Sequence, residues 1–336
     1  HELTRRDQRL TIVAATSGDT GSAAIEACRD RDALDVFVLF PDGRVSDVQR
    51  RQMTTVDAAN VWTIAIDGTF DDCQDLVKAM FADEAFRHER SLGAVNSINW
   101  ARVMAQIVYY VWAGHRLGGG PVSFCVPTGN FGNVFAGEAA RRMGLDVDQF
   151  IVASNRNAIL TQFFTTGAMT IESVAPTLSP AMDIQVSSNL ERLVFELLGR
   201  RGADVAEFMA RFRGEGHIEM PADQFAPLGE RWSARSIDDA ETTATIAEVV
   251  ARTGMVVDPH TAVGLAAAEA LRRPGPPLVT LATAHPAKFA DAVAAAGVSL
   301  PDPPAALAAV ADRPERYVAL PADLGTVQDF VRSSAG

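Results

Sequence analysis

With 336 residues, 48% of them hydrophobic and 21% charged, the chain has an ordinary globular composition and enough length for roughly two domains. Its net charge of -12 excludes a general nucleic-acid-binding or anionic-membrane surface. Cys28, Cys73 and Cys125 lack metal-ligand spacing, which predicts no metal site and reduced thiols in a cytoplasmic protein, and no apolar run is long enough to span a bilayer.

The chain opens at His1 in a charged segment (Arg5, Arg6, Asp7, Arg9) of the kind that ends a surface helix, so a shortened N-terminus is expected. Residues 10–16 read as a strand, followed at once by Ser17-Gly18-Asp19-Thr20-Gly21-Ser22 and an Ala-rich helix through Cys28. Strand and helix then alternate: strand 33–40, helix 46–54, strand 60–66, helix 70–90, a short strand at 94–95 and a long helix over 98–117, closed by Gly118-Gly119-Gly120. A β-branched and aromatic strand, 122–126, leads into Pro127-Thr128-Gly129-Asn130-Phe131-Gly132-Asn133 and a further helix. Strand 149–154 and helix 157–164 follow, and the Thr-, Ser- and Pro-rich stretch 168–188 reads as a long functional loop. Helices are expected at 190–198, 205–212 and 240–253. Asp258-Pro259-His260-Thr261 is a helix start with Asp as cap and Pro at the first position. The last strand is 278–283, with a helix at 286–296 and an appended tail from 305 onward.

This alternation predicts an α/β protein of mostly parallel sheets flanked by helices. The division expected is a smaller, mobile lobe over 10–95 and a larger lobe over 96–330 that carries the helical C-terminal appendage.

Three strand-to-helix junctions offer groups that bind anions. The Gly129–Asn133 turn can aim backbone N–H groups and a helix dipole at a phosphate. The Ser17–Ser22 turn adds hydroxyls and a carboxylate. At the third, Asn96-Ser97-Ile98-Asn99-Trp100-Ala101-Arg102, a guanidinium follows amides and a hydroxyl by one to two helical turns. Each alone also fits a capped helix or a tight turn. Three together fit the carboxyl edge of an open α/β sheet, where ligands bind.

Those motifs, with Leu281-Ala282-Thr283-Ala284-His285-Pro286-Ala287-Lys288-Phe289, resemble threonine synthase in order along nearly the whole chain. The resemblance implies a two-lobed pyridoxal-phosphate enzyme of fold type II that converts O-phosphohomoserine and water to threonine and phosphate. It assigns Gly129, Asn130, Phe131, Gly132 and Asn133 to the cofactor phosphate, Asp19 to the pyridine 3-oxygen and Thr283 to the pyridine nitrogen. It assigns Ser17 and Thr20 to the substrate, and Asn96, Ser97 and Arg102, with Thr20, to the substrate's phosphate. His260 and His285 read as structural. No nucleic acid and no membrane is implied as a partner.

In the family pattern the Schiff-base lysine lies upstream of the Ser17-Gly18-Asp19 turn. The lysines of this chain are Lys78, in a solvated helix context, and Lys288, at a position the pattern shows in addition to its catalytic lysine. The expectation is therefore that the catalytic lysine lies before His1 and that the chain as it stands is inactive. Two other readings stand beside this one: a serine/threonine dehydratase-like lyase of the same fold, and a non-catalytic relative that binds cofactor or phosphate.

Overall fold

The computed structural model describes residues 2–16, 18–95, 99–229 and 231–334. In chain order the strands are β1 (Leu10–Ala15), β2 (Leu34–Pro41), β3 (Val61–Asp67), β4 (Leu92–Ala94), β5 (Val122–Pro127), β6 (Val147–Ser154), β7 (Ala168–Thr170), β8 (His217–Glu219), β9 (Trp232–Ser236), β10 (Leu278–Thr280) and β11 (Val318–Pro321). They fall into two units, residues 1–96 with 302–336 and residues 97–301.

The first unit is built on a parallel sheet of order β11-β3-β2-β1-β4. The run Val36-Phe37-Val38-Leu39-Phe40 is buried throughout, as a central strand covered on both faces requires. Its period of two separates the neighbours. Phe37 and Leu39 pack with Val13, Ile64 and Ile66 beneath the helix Phe70–Ala82, while Val36, Val38 and Phe40 pack with Ile12, Ile25 and Met53 on the opposite face. The helix expected over 70–90 is two, Phe70–Ala82 and Glu84–Glu89. Asp83 between them has extended backbone, and its carboxylate caps the second helix by accepting from the Phe86 N–H at 3.0 Å.

The tail, expected as an appendage of the larger lobe, belongs instead to this first unit. β11 pairs in parallel with β3, Val318 opposite Ile64, and the helix Leu324–Ser334 buries Val327 and Val331 in the same core as Met80 and Phe86. Glu315 anchors the approach: it accepts from Arg50 Nε at 2.9 Å and Nη2 at 3.1 Å, and from the Thr54 hydroxyl at 2.7 Å.

The second unit holds a parallel sheet of order β10-β5-β6-β9 and the antiparallel pair β7-β8. One face of the large sheet carries Phe124, Val126, Phe150 and Val152 against the helices Trp100–Arg116 and Gly132–Arg142. On the other, Cys125, Ile151 and Ala153 meet the buried helix Pro259–Leu271. That helix approaches closely because it presents Gly264, where a Cβ would come within 3.0 Å of Thr280 and 3.1 Å of Pro127. β9 falls outside the strands expected from sequence; its register beside β6, Phe150 opposite Trp232, is set by stacked rings 4.7 Å apart.

Candidate active site

β5 ends at Pro127, and Thr128 begins the turn into the helix Gly132–Arg142. The Thr128 hydroxyl accepts from the Phe131 N–H at 3.0 Å, and the Thr128 N–H donates to the Ala153 carbonyl at 3.0 Å, fixing the turn to β6. Phe131 sits at φ +63°, a left-handed conformation costly for a bulky residue, about 1–3 kcal/mol. Burial of its ring, worth roughly 1.5–3 kcal/mol, offsets that strain. The ring is fully buried and stacks on Phe164 at 5.6 Å and on Trp232 at 6.1 Å. Phe131 therefore shapes the turn from the core side, and its N–H is already engaged.

The carbonyls of the turn are also engaged. Ser187 Oγ donates to the Gly129 carbonyl at 2.7 Å, and the Asn189 backbone and side-chain N–H groups donate to the Asn130 carbonyl at 3.1 and 3.2 Å. Tyr110 donates its hydroxyl to the carbonyl and side-chain oxygen of Asn133, both at 2.9 Å, and Tyr109 donates to the same side chain. No acceptor among the described residues takes the N–H groups of Gly129, Asn130, Gly132 or Asn133. A half-buried turn with four such donors, at the start of an eleven-residue helix without an acidic residue in its first turn, is chemically an anion cradle.

Behind the cradle lies the stretch read from sequence as a functional loop. β7 takes its first residues, and the remainder is an irregular strap with a turn at Pro180–Met182. A Cβ at Gly129 would lie 3.0 Å from Met182 Cα and 3.2 Å from the Ala181 carbonyl oxygen, backbone atoms that cannot swing aside. The strap is itself held. Asp183 accepts from Asn155 at 2.7 Å, Asn157 at 2.9 Å, and the Thr177 hydroxyl and N–H at 2.7 and 3.0 Å. Ser187, Asn189, Asp183 and the two asparagines after β6 were not singled out from sequence. The one signal for them is the density of Ser, Thr and Asn side chains over residues 154–189.

Thr283 is exposed, three residues beyond Thr280; Thr280 pairs with Cys125, and Thr128 stands three residues beyond that partner. Thr283 and the cradle thus share the carboxyl edge of adjacent strands. His285 caps the turn Pro286–Lys288 by accepting from the Ala287 N–H at 3.2 Å. Arg102 lies in the first turn of the helix Trp100–Arg116, capped by Asn99; burial pushes its guanidinium pKa down. Asn96 and Ser97, expected beside it, lie outside the described residues.

In the first unit, Thr16 closes β1, and its buried hydroxyl accepts from the N–H groups of Gly18 and Gly21, each at 2.9 Å. This pins the turn that places Asp19 and Thr20 in the first turn of the helix Asp19–Cys28. Gly18 has φ +138°, and a Cβ there would collide with Gln49 at 2.5 Å. Thr16 is a residue the sequence reading passed over; Ser17 lies outside the described residues.

Residues 1–211 match the family model described as pyridoxal-phosphate dependent enzyme, and residues 261–331 that described as threonine synthase, C-terminal. The chain is 51% identical over 335 residues to the threonine synthase of Pseudomonas aeruginosa, covering 98% of this chain and 71% of that one. It is 44% identical to the threonine synthase of Corynebacterium glutamicum over 98% of this chain and 71% of the relative. Among solved structures, pyridoxal-phosphate-bound threonine synthase from Brucella melitensis superposes with a TM-score of 0.93 at 48% identity, covering 99% of this chain and 72% of that chain. A threonine deaminase from Solanum lycopersicum, at 11% identity and a TM-score of 0.55 over 85% of this chain and 69% of that one, shares the fold alone.

Proposed function

The chain belongs to the threonine synthase family of pyridoxal-phosphate enzymes, and from that premise we propose that its cradle holds the cofactor's phosphate and its Arg102 the phosphate of O-phosphohomoserine. The observation that carries the first assignment is the set of four N–H groups at Gly129, Asn130, Gly132 and Asn133 that meet no acceptor among the described residues. Those donors fit a phosphate dianion, and the close approach at Gly129 leaves no room for a side chain between loop and strap.

When bound, pyridoxal phosphate supplies an electron sink for carbanionic charge. The protein's part is to orient and to hold charge. Thr283 presents a neutral hydroxyl at the edge where the pyridine nitrogen is assigned, and Asp19 offers a carboxylate for the 3-oxygen assignment. Arg102 carries a cation that a phosphate can meet through a two-pronged hydrogen bond. Ser17, Thr20, Asn96 and Ser97 complete the proposed substrate set as neutral donors.

Neither lysine of this chain is proposed to bond the cofactor. Lys78 is exposed and pairs with Asp75 at 2.9 Å on a solvated helix face, whereas an imine-forming amine needs a desolvated or activated setting. Lys288 belongs to the turn capped by His285, five residues beyond Thr283 in the chain. A cytoplasmic setting is proposed from the free thiols of Cys28, Cys73 and Cys125. Among the described residues no helix is long and apolar enough to cross a membrane.

Phosphate release from O-phosphohomoserine, compared with deamination of threonine by the intact enzyme, tests the assignment. Preferential release of phosphate with formation of threonine supports it; preference for threonine as substrate overturns it. Borohydride reduction of the cofactor-loaded protein followed by peptide mapping tests the lysine assignment, and an adduct on Lys78 or Lys288 refutes it.

A further inference from the structure

We infer that His260, read from sequence as a structural histidine, is a positioning residue for the phosphate cradle. The inference rests on the cofactor reading of that cradle. His260 and Asp258 are buried at the start of the helix Pro259–Leu271, where Asp258 caps the helix by accepting from the N–H groups of His260 and Thr261. Capping explains the backbone of His260 but not its ring. The ring bridges two elements: Nδ1 lies 2.9 Å from Asp258 Oδ1, and Nε2 accepts from the Ala181 N–H at 3.3 Å.

These contacts define the state of the ring. Nε2 faces a donor and so carries no proton, and Nδ1 donates to the carboxylate; the imidazole is neutral, with its proton on Nδ1. Asp258 is in turn fixed by the Thr261 hydroxyl, which donates to its other oxygen. The Phe289 ring packs edge-on at 4.7 Å and closes the remaining side.

The consequence falls on the cradle through Ala181. Its N–H is held by His260, while its carbonyl oxygen and the adjacent Met182 Cα form the wall that Gly129 abuts. Asp258, His260, Ala181 and Gly129 thus form one contact chain from a helix cap to the anion donors. Asp183 fixes the far end of the same turn and does not replace this contact, since none of its donors is Ala181. Without the acceptor at Nε2, the Ala181 N–H loses this partner and the strap loses one of its ties beside Gly129.

The test separates this inference from the cofactor reading by using two probes that cannot form an imine, pyridoxamine 5'-phosphate and pyridoxamine, with dissociation constants measured by equilibrium dialysis on the intact protein. In the unsubstituted protein the phosphorylated probe is expected to bind far more tightly; equal affinities would refute the cradle assignment itself. Given that preference, His260→Leu is expected to reduce it about tenfold, and His260→Gln, whose amide oxygen can accept from Ala181, to restore most of it. An unchanged preference in His260→Leu, or a loss in the glutamine variant equal to that in the leucine variant, overturns the role of His260. Should the leucine variant fail to fold, His260→Phe supplies the same reading: it keeps a planar ring but offers no acceptor to the Ala181 N–H, and a preference equal to that of the unsubstituted protein overturns the inference.

Discussion

The Ser187 hydroxyl donates to the Gly129 carbonyl at 2.7 Å, so the strap occupies the acceptor side of the cradle and leaves the donor side for an anion. Ser187→Ala removes one neutral hydrogen bond, worth about 1 kcal/mol. A loss of roughly fivefold in affinity for pyridoxamine 5'-phosphate is expected, with little change for pyridoxamine. Equal losses for both probes would assign Ser187 to general stability.

Gly129→Ala places a methyl group 3.0 Å from Met182 Cα, which demands a backbone shift. A destabilisation of about 1–3 kcal/mol is expected from overpacking, with loss of phosphate-dependent binding. Gly202→Ala, at the first residue of a helix with nothing near the added methyl, is the control. It should leave both the denaturation midpoint and probe binding within experimental error.

Arg102→Ala is expected to lower kcat/KM for O-phosphohomoserine about a hundredfold, matching loss of a charge-assisted pair of hydrogen bonds worth roughly 2–3 kcal/mol. Both a higher KM and a lower kcat are expected if the phosphate remains engaged through the chemical step; a change in KM alone would restrict Arg102 to anchoring. Burial pushes the Arg102 pKa down, but arginine starts so high that the residue stays charged and adds no pH dependence near neutrality.

The thiols should be inert in the folded protein. Burial pushes the Cys73 pKa up to about 12 and raises those of Cys125 and Cys28, with Arg31 opposing the shift at Cys28. Iodoacetamide at pH 8 is expected to label none of the three rapidly in native protein and all three in urea. Rapid labelling of Cys73 or Cys125 without denaturant would contradict their burial.

Acid should loosen the tail. The hydrogen bond from Arg50, and then that from Thr54, hold the Glu315 carboxyl below the usual glutamate range. A depressed folded value means that stability is present above the unfolded pKa of about 4.3 and is lost as the pH falls through the lowered one. Glu315→Gln should therefore reduce stability at pH 7, by no more than about 1 kcal/mol for a partly solvated pair, and the two stabilities should converge under acid. Urea unfolding at both pH values measures this.

The parallel sheets were legible because Val36–Phe40 is a continuous apolar run and Val122–Val126 is apolar apart from Ser123, and the cradle because glycine and asparagine follow the second of them. β11 was hidden by Pro314 ahead of it, by Pro321 at its end and by a partner, β3, far away in sequence. The contacts of Thr16, Ser187, Asp183 and His260 were not legible at all, since each is a polar side chain whose meaning lies in which atoms it meets in the fold. Sequence capping rules accounted for Asp258 and stopped there; the ring of His260 reaches across to a segment that carries no periodicity.

Because β11 completes a sheet begun by β1, the order of synthesis bears on folding. Arg50 and Glu315, which staple the tail to the first unit, are separated by 265 residues, a stretch that takes a ribosome on the order of tens of seconds to make. Throughout that interval the nascent first unit exposes the β3 edge carrying Ile64 and Ile66, while the second unit, continuous from 97 to 301, can finish first. That edge is an unpaired strand of the emerging polypeptide, and a stop codon before residue 318 would leave it open to edge-to-edge aggregation.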